Sequence, residues 1–253
     1  IAAIMLLFSL EKENRLATPE EQEILARYVG WGGLSDVFDS TKSNWTNEYT
    51  ELKSLLNDEE YTQARESTLT AFYTTPIVID SIYSALNNLG FKYGNILEPA
   101  CGTGNFLGRL PENMKDSKLY GIELDSITGR IAKQLYQKAN ITIDGYENTN
   151  LPDSFFDVAI SNVPFGQFKV SDKRYDRLNF NIHDYYFAKT LDKVRPGGII
   201  AFVTSKYTMD KANSSVRKYI NERAELLGAI RLPNTTFSES ANTKAVSDIV
   251  FLK

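Results

Sequence analysis

Four consecutive residues near the middle of the chain combine groups that could hold an amino group on a flat ring. Asn162 has a side-chain oxygen that accepts hydrogen bonds, and the Val163 carbonyl is a second acceptor for the same amine. Pro164 favours an extended conformation for the residue before it, so that this carbonyl projects. Phe165 offers a ring on which a planar base can stack. A plain strand and turn would use the same residue types, so the interpretation depends on the neighbouring motifs.

A glycine-rich turn comes earlier in the chain, at residues 97–106. Gly102 and Gly104 let the backbone approach a ligand closely. The next glycine is Gly108, one position later than the dinucleotide-binding pattern Gly-x-Gly-x-x-Gly requires. Glu98 in this turn would repel a pyrophosphate and attract the cationic end of an amino acid. The turn therefore disfavours a nicotinamide dehydrogenase.

An acidic residue follows the turn at the distance typical of a ribose-binding carboxylate. Glu123 lies about twenty residues after the glycines, where an acidic side chain accepts hydrogen bonds from ribose hydroxyls. A solvated strand end is the alternative for Glu123, and we favour the ribose role. Asp125 is predicted to cap the next helix. A nucleoside ligand follows from this arrangement.

Each of these motifs follows a short apolar run, and such runs alternate with helical patterns. Strands are predicted at 95–98, 119–123, 141–143, 157–161, 199–204, 226–231 and 247–252. The alternation predicts an α/β fold of the Rossmann-like type, with a mainly parallel seven-stranded sheet between helices. The last two strands have no obvious helix between them, which favours an antiparallel final strand. Ligands bind beyond the carboxyl ends of such strands, where all three motifs lie.

The first part of the chain is predicted to be helical and separate from the sheet. Thr18, Pro19 and Glu21 form a strong helix start with a capping box, and this helix is expected to end at Gly30. A turn around Trp31 follows, and polar helical segments continue to about residue 70. We therefore predict a helical segment at 1–70 and the catalytic domain at 71–253. The apolar residues 1–10 are too few to span a bilayer and read as a packed helix.

Composition narrows the classes of function. Cys101 and His183 are the only residues of their types, which excludes an internal disulfide and makes a metal site improbable. An intracellular, cytoplasmic protein is expected, and the missing initiator methionine fits a piece of a longer polypeptide. His183 is expected to cap a helix or lie at the surface, whereas Tyr185, Tyr186 and Phe187 are expected in the core.

The net charge of -4 argues against a protein that grips nucleic acid over its whole surface. Basic residues nevertheless cluster in two polar stretches, although such runs are often no more than a solvated face. These residues are Lys169, Lys173, Arg174 and Arg177, followed by Lys206, Lys211, Arg217, Lys218, Arg223 and Arg231.

With these motifs in this order, residues 72–253 resemble the adenine-specific DNA methyltransferases of the class I fold that uses S-adenosylmethionine. Asn162 to Phe165 is similar to the Asn-Pro-Pro-Phe catalytic motif of that family, with Val163 in place of the first proline. Residues 72–76, which precede the first strand, look like the motif that touches the methionine end of the cofactor. Arg231 to Asn234, followed by Phe237, resembles a late motif whose aromatic ring packs against the base.

The resemblance implies S-adenosylmethionine as cofactor, DNA with a flipped adenine as partner, and no metal. Phe165 and Phe237 would stack on the base, and Asn162, Val163, Pro164 and Phe165 would form the catalytic motif. The implied cofactor-binding residues are Tyr73, Thr74, Thr75, Glu98, Pro99, Ala100, Cys101, Gly102, Gly104, Asn105, Phe106, Glu123, Leu124, Glu147, Asn148, Asn162 and Pro164.

The segment before residue 70, with its Gly30-Trp31-Gly32-Gly33 turn, resembles the region ahead of such methylase domains in very large proteins of phages and conjugative elements. The resemblance implies further domains of the same chain that supply target recognition or helicase function. Two alternatives stay open. The chain could methylate RNA or a protein glutamine, or it could be a module of an antirestriction machine that binds cofactor or DNA without turnover.

Overall fold

The computed structural model of the chain describes residues 1–68, 71, 73–236 and 246–253. A seven-stranded sheet lies at its centre. The strands are β1 (Asn95–Glu98), β2 (Lys118–Glu123), β3 (Asn140–Ile143), β4 (Phe156–Asn162), β5 (Val194–Ser205), β6 (Leu226–Arg231) and β7 (Ser247–Leu252). Their order across the sheet is β3-β2-β1-β4-β5-β7-β6.

The direction of the strands confirms the predicted fold class. Strands β3, β2, β1, β4 and β5 pair in parallel, and β7 runs antiparallel between β5 and β6. Strand β5 begins at Val194 instead of 199, because Val194 already pairs with Phe156 before an irregularity in the ladder. The turn expected at residues 195–198 lies in that irregular part, where Gly197 has a φ of 80°.

Ten α-helices lie among the described residues, with short 3-10 helices between some of them. They are α1 (Ala2–Lys12), α2 (Pro19–Leu25), α3 (Thr46–Leu55), α4 (Asp58–Ser67), α5 (Pro76–Asn88), α6 (Asn105–Gly108), α7 (Ser126–Leu135), α8 (Ile182–Lys193), α9 (Tyr207–Asp210) and α10 (Ser215–Asn221). None of the helices in these described parts is long and apolar enough to cross a membrane.

Helix α2 begins as predicted and ends earlier than predicted. The Thr18 side chain accepts from the Glu21 backbone, and the Glu21 carboxylate accepts from the Thr18 backbone, which completes the capping box. The helix ends at Leu25 rather than Gly30, because the amides of Arg27 and Tyr28 bond three residues back, to Ile24 and Leu25, and tighten the turn. The residues from 26 to 33 are thereby free to form a loop that reaches towards the sheet.

Both faces of the sheet are covered by packed apolar side chains. Successive residues of β5 point to opposite faces, so that Ile200 and Phe202 pack with α8 while Ala201 and Val203 pack with α5. Tyr185, Tyr186 and Phe187 are buried in α8, as expected.

The expectation for His183 was wrong. Its ring is buried, because the first turn of α8 is covered on all sides. Burial lowers the pKa of His183, so the ring is neutral at pH 7.

The N-terminal helices pack directly against α7. Leu7, Leu10 and Leu25 share an apolar cluster with Ile127 and Ile131 of α7, and these residues are almost completely buried. Polar contacts join the same surfaces. The amide of Ala17 donates to the Gln134 side chain at 2.8 Å, and Arg130 of α7 forms ion pairs with Glu11 and Glu60. This contact matters for the site, because α7 follows directly after the strand that carries Glu123.

Candidate active site

The glycine turn after β1 is built by two residues in the left-handed conformation. Gly102 has a φ of 53° and Gly104 a φ of 82°, values that residues with a Cβ rarely adopt. The Cys101 amide donates to the Ile122 carbonyl of β2 at 2.8 Å, which ties the turn to the neighbouring strand. A Cβ at Gly104 would lie 2.2 Å from the Tyr136 ring. The turn therefore needs glycine both for its conformation and for space.

Glu123 ends β2 beside this turn. One carboxylate oxygen accepts from the Gly102 amide and the other from the Asp125 amide, both at 2.8 Å. Burial raises the pKa of Glu123 to about 7, although the two amides act in the opposite direction. The carboxylate thus lies between the glycine turn and the start of α7, and it is partly ionised at neutral pH.

Glu98 is a buried carboxyl with an unsatisfied oxygen. It is 2% exposed, and its Oε2 has no hydrogen-bond partner among the described residues. Burial, and then the nearby Glu123, raise the pKa of Glu98 well above its usual value. Buried polar atoms are seldom left without a partner, and a buried carboxylate is stabilised by a cation. The site fits a ligand that brings an ammonium group to Glu98.

The Asn162–Phe165 motif leaves the sheet at the carboxyl end of β4. Asn162 still pairs with Val203 of β5, and the Val163 amide donates to the Val203 carbonyl at 3.0 Å. The Val163 side chain is buried in the core. A proline has no amide hydrogen and could not donate this hydrogen bond. Val163 therefore fixes the backbone by a hydrogen bond between strands, whereas a proline would fix it by its rigid ring.

One cleft joins these three strand ends. It encloses about 1060 Å³, including the part open to solvent. Of the residues predicted for the site, the cleft is lined by Tyr73, Thr74, Glu98, Pro99, Ala100, Cys101, Gly102, Asn105, Phe106, Glu123, Leu124, Glu147, Asn162 and Pro164.

Five other predicted residues, namely Thr75, Gly104, Asn148, Val163 and Phe165, are not in the lining of the cleft. Phe165 is half-buried and packs between the apolar clusters of the two sheet faces. Phe237 lies outside the described residues. The aromatic ring that borders the cleft after Pro164 is instead Phe168, which is 46% exposed.

The cleft is also lined by residues that the sequence analysis did not predict for the site. These are Trp31, Ser67, Ala71, Ile122, Asp125, Thr128, Asp144, Gly145, Tyr146, Phe168, Val170, Ile182 and Tyr186. Asp144 and Gly145 directly follow β3, and their position after a predicted strand is the signal that indicates them. Trp31 is distant in sequence, and its flanking glycines were the only signal.

The described parts of the chain contain no group of three or more His, Cys, Asp or Glu residues that could hold a metal ion. Backbone amides donate hydrogen bonds to the carboxylates of Glu123, Asp125 and Asp144, whereas Glu98 keeps an oxygen without a partner among the described residues. Their arrangement suits an organic ligand with ammonium and hydroxyl donors.

A buried lysine joins two sides of the cleft. Lys189 of α8 donates to the Tyr146 carbonyl at 2.7 Å and to the Thr149 carbonyl at 3.2 Å, in the loop that carries Glu147. The same ammonium donates to Asp172 at 3.0 Å, in the loop that carries Phe168. Burial lowers the pKa of Lys189, and Asp172 opposes this effect. Lys189 therefore fixes the loop after β3 against the loop after β4.

Replacing Lys189 with methionine is expected to lower the free energy of unfolding by about 3 kcal/mol, since the partly buried Asp172 carboxylate and several carbonyls lose their donor. Thermal denaturation measures the change. Lys133→Met is the matched control, because Lys133 is exposed on α7 and is expected to leave the melting temperature nearly unchanged. Equal melting temperatures for the two variants would contradict the bridging role.

Solved structures with a similar architecture define the class of fold. A protein of Listeria monocytogenes assigned to the class I S-adenosylmethionine-dependent methyltransferases has a TM-score of 0.59 at 18% identity and covers 99% of this chain and 87% of its own. A protein of Vibrio vulnificus assigned as the modification subunit of a type I restriction enzyme has a TM-score of 0.58 at 19% identity, covering 87% of this chain and 52% of its own. The chain has the fold of the class I methyltransferases.

The sequence shows the family. The profile of the N-6 DNA methylases matches residues 55–253, and the chain belongs to this family. Defense against restriction protein B of Escherichia phage P1 is 27% identical over an alignment of 257 positions, which covers 99% of this chain and 10% of the phage protein. Modification methylase CviBIII of Paramecium bursaria Chlorella virus NC1A is 27% identical over 165 residues, covering 58% of this chain and 44% of the viral protein. The chain thus spans a tenth of one relative and less than half of the other, and the predicted family is confirmed.

Proposed function

We propose that this chain transfers a methyl group from S-adenosylmethionine to the exocyclic amino group of adenine in DNA. The observation that carries the proposal is the position of Asn162 and Pro164 in the same cleft as Glu98 and Glu123. Membership of the N-6 DNA methylases supports the substrate class. The relatives of known name support a role in restriction and modification, as part of a longer protein.

The cleft offers each part of the cofactor a matching group. Glu98, with its unsatisfied oxygen, would hold the ammonium of the methionine end, next to Tyr73 and Thr74. Glu123 would accept from the ribose hydroxyls, and Glu147 with its neighbour Asn148 would approach the adenine. Gly102 and Gly104 let the backbone come close to the ligand. When bound, S-adenosylmethionine supplies an electrophilic methyl group.

The chain's own residues would orient the base. The side-chain oxygen of Asn162 and the carbonyl of Val163 would accept the two hydrogens of the amino group, which directs the nitrogen lone pair towards the cofactor. A base flipped from the duplex would stack on Phe168, the exposed ring that borders the cleft. The rate would come from orientation and fixed dipoles, and no residue needs to act as a strong general base.

Unpaired cations near the cleft support DNA as the partner. Arg174 and Arg231 form ion pairs with aspartates, and Lys211 pairs with the buried Asp184. Lys173 and Arg177 are exposed, form no ion pair within the described residues, and follow Phe168 in the same loop. These two side chains would contact a phosphate backbone while the base enters the cleft.

The test is methyl incorporation from labelled S-adenosylmethionine into DNA, RNA and protein in separate reactions, followed by chromatography of the digested products. The proposal predicts label in N6-methyladenine from DNA. Label in RNA or in glutamine would contradict the proposed substrate. Cofactor binding without product on any of the three, in the longest natural form of the protein, would favour the binding module instead.

A further inference from the structure

We infer that Trp31 is a positioning residue of the cofactor site, so that the N-terminal segment supplies one wall of the cleft. Trp31 is 3% exposed and yet lines the cleft, and it lies outside the residues matched by the family profile, 55–253. This inference rests on the proposed use of the cleft for S-adenosylmethionine.

The indole of Trp31 acts on the site through Asp125. Its Nε1 donates to Asp125 Oδ1 at 3.1 Å, and the same oxygen accepts from the Thr128 amide at 2.7 Å at the start of α7. The amide of Asp125 in turn donates to Glu123 at 2.8 Å. A chain of hydrogen bonds therefore runs from the indole, through one aspartate, to the carboxylate placed for the ribose.

The glycines on either side of Trp31 explain how the segment closes over the cleft. Gly30 has a φ of 77°, and a Cβ there would overlap the Tyr73 hydroxyl. A Cβ at Gly32 would lie 2.0 Å from the Ala71 carbonyl oxygen. Tyr73 and Ala71 both line the cleft. Glycine is thus required on both sides of Trp31, because the backbone there packs directly against Tyr73 and Ala71 at the edge of the cleft.

Neighbouring contacts keep the indole in place. The Tyr28 and Phe38 rings meet Trp31 edge-on, with centroids 5.8 Å and 5.5 Å away. The Tyr28 hydroxyl shares a hydrogen bond of 2.9 Å with Thr128, another residue of the cleft. The segment therefore contacts α7 on both sides of the tryptophan, through Tyr28 before it and through the ion pair of Glu60 with Arg130 after it. A loss at Trp31 is therefore expected to alter the ligand site more than the fold.

The test uses the protein's own fluorescence, because Trp31 and Trp45 are its only tryptophans. Trp45 packs against the apolar cluster that the N-terminal helices share with α7, and it does not line the cleft. In Trp45→Phe, Trp31 is the only tryptophan that emits. Addition of S-adenosylhomocysteine is expected to change this emission until it saturates, and the Kd from this titration is expected to equal the Kd from calorimetry. In Trp31→Phe the emission is expected to stay constant, and the calorimetric Kd is expected to weaken about tenfold, since a hydrogen bond to a charged group is lost.

The outcomes separate this inference from the proposed function. Calorimetric binding in all variants, with constant Trp31 emission and equal Kd values, would overturn the inference and leave the cofactor proposal standing. No binding to the unchanged protein would overturn both. If Trp31→Phe fails to fold, as judged by its thermal transition, the emission of Trp45→Phe alone still decides whether the indole borders the bound ligand.

Discussion

Asn162→Ala is expected to lower methyl transfer by about 1000-fold or more while the cofactor Kd changes little. The alanine removes the acceptor that orients the amino group, and fixed dipoles at a reacting centre contribute about two to three orders of magnitude each. The backbone is expected to remain in place, because the ladder bond from Val163 to Val203 does not use the Asn162 side chain. Single-turnover rates with labelled cofactor, together with calorimetry, separate the two effects.

Asn88→Ala is the matched control for this substitution. Asn88 is exposed at the end of α5 and has no role in the cleft, so its variant is expected to keep full activity. A fully active Asn162→Ala protein would remove the proposed mechanism. A variant that loses cofactor binding to the same extent as transfer would instead assign Asn162 to the cofactor.

Glu123→Gln is expected to weaken cofactor binding by about 10- to 100-fold, because a charged acceptor for the ribose hydroxyls becomes a neutral one. The amide also cannot accept on both of its ends, so it loses one of the two backbone donors, Gly102 or Asp125. Calorimetry with S-adenosylhomocysteine at pH 8 measures the change. An unchanged Kd would contradict the ribose role.

The pKa of Glu123, raised by burial to about 7, gives cofactor binding a pH dependence of defined sign. Above this pH the carboxylate is ionised and accepts on both oxygens, and below it the proton must leave before the ligand binds. Affinity is expected to rise from pH 6 to pH 8, by less than about tenfold per pH unit, and to level off above the pKa. The Glu123→Gln protein keeps Glu98 and lacks only the titration of Glu123. If affinity depends on pH equally in both proteins, the pH dependence comes from a group other than Glu123.

The strands and the three motifs at their ends could be predicted because the information is local. Buried parallel strands are continuous apolar runs, and β1, β2 and β4 each end directly before Pro99, Leu124 and Val163. Parallel strands bring these ends to one edge, which places Glu98, Glu123 and Asn162 in one cleft. The capping box at Thr18 is local in the same way.

Contacts between distant segments could not be predicted. Trp31 is hydrogen-bonded to Asp125, which lies 94 positions later in the sequence, and no local pattern around either residue predicts this contact. The burial of His183 depends on how loops cover the start of α8, so the residue type alone indicated a surface position. Phe165 packs with the core clusters, and Phe168, three residues later, borders the cleft instead.

The position of the bound cofactor tests the central claim most directly. A crystal structure of the chain with S-adenosylhomocysteine is expected to show the ligand between Glu123 and Asn162, with its ribose hydroxyls bonded to the Glu123 carboxylate and its amino group beside Glu98. A ligand bound at another edge of the sheet, or a cleft closed by packed side chains between Glu123 and Asn162, would contradict the account.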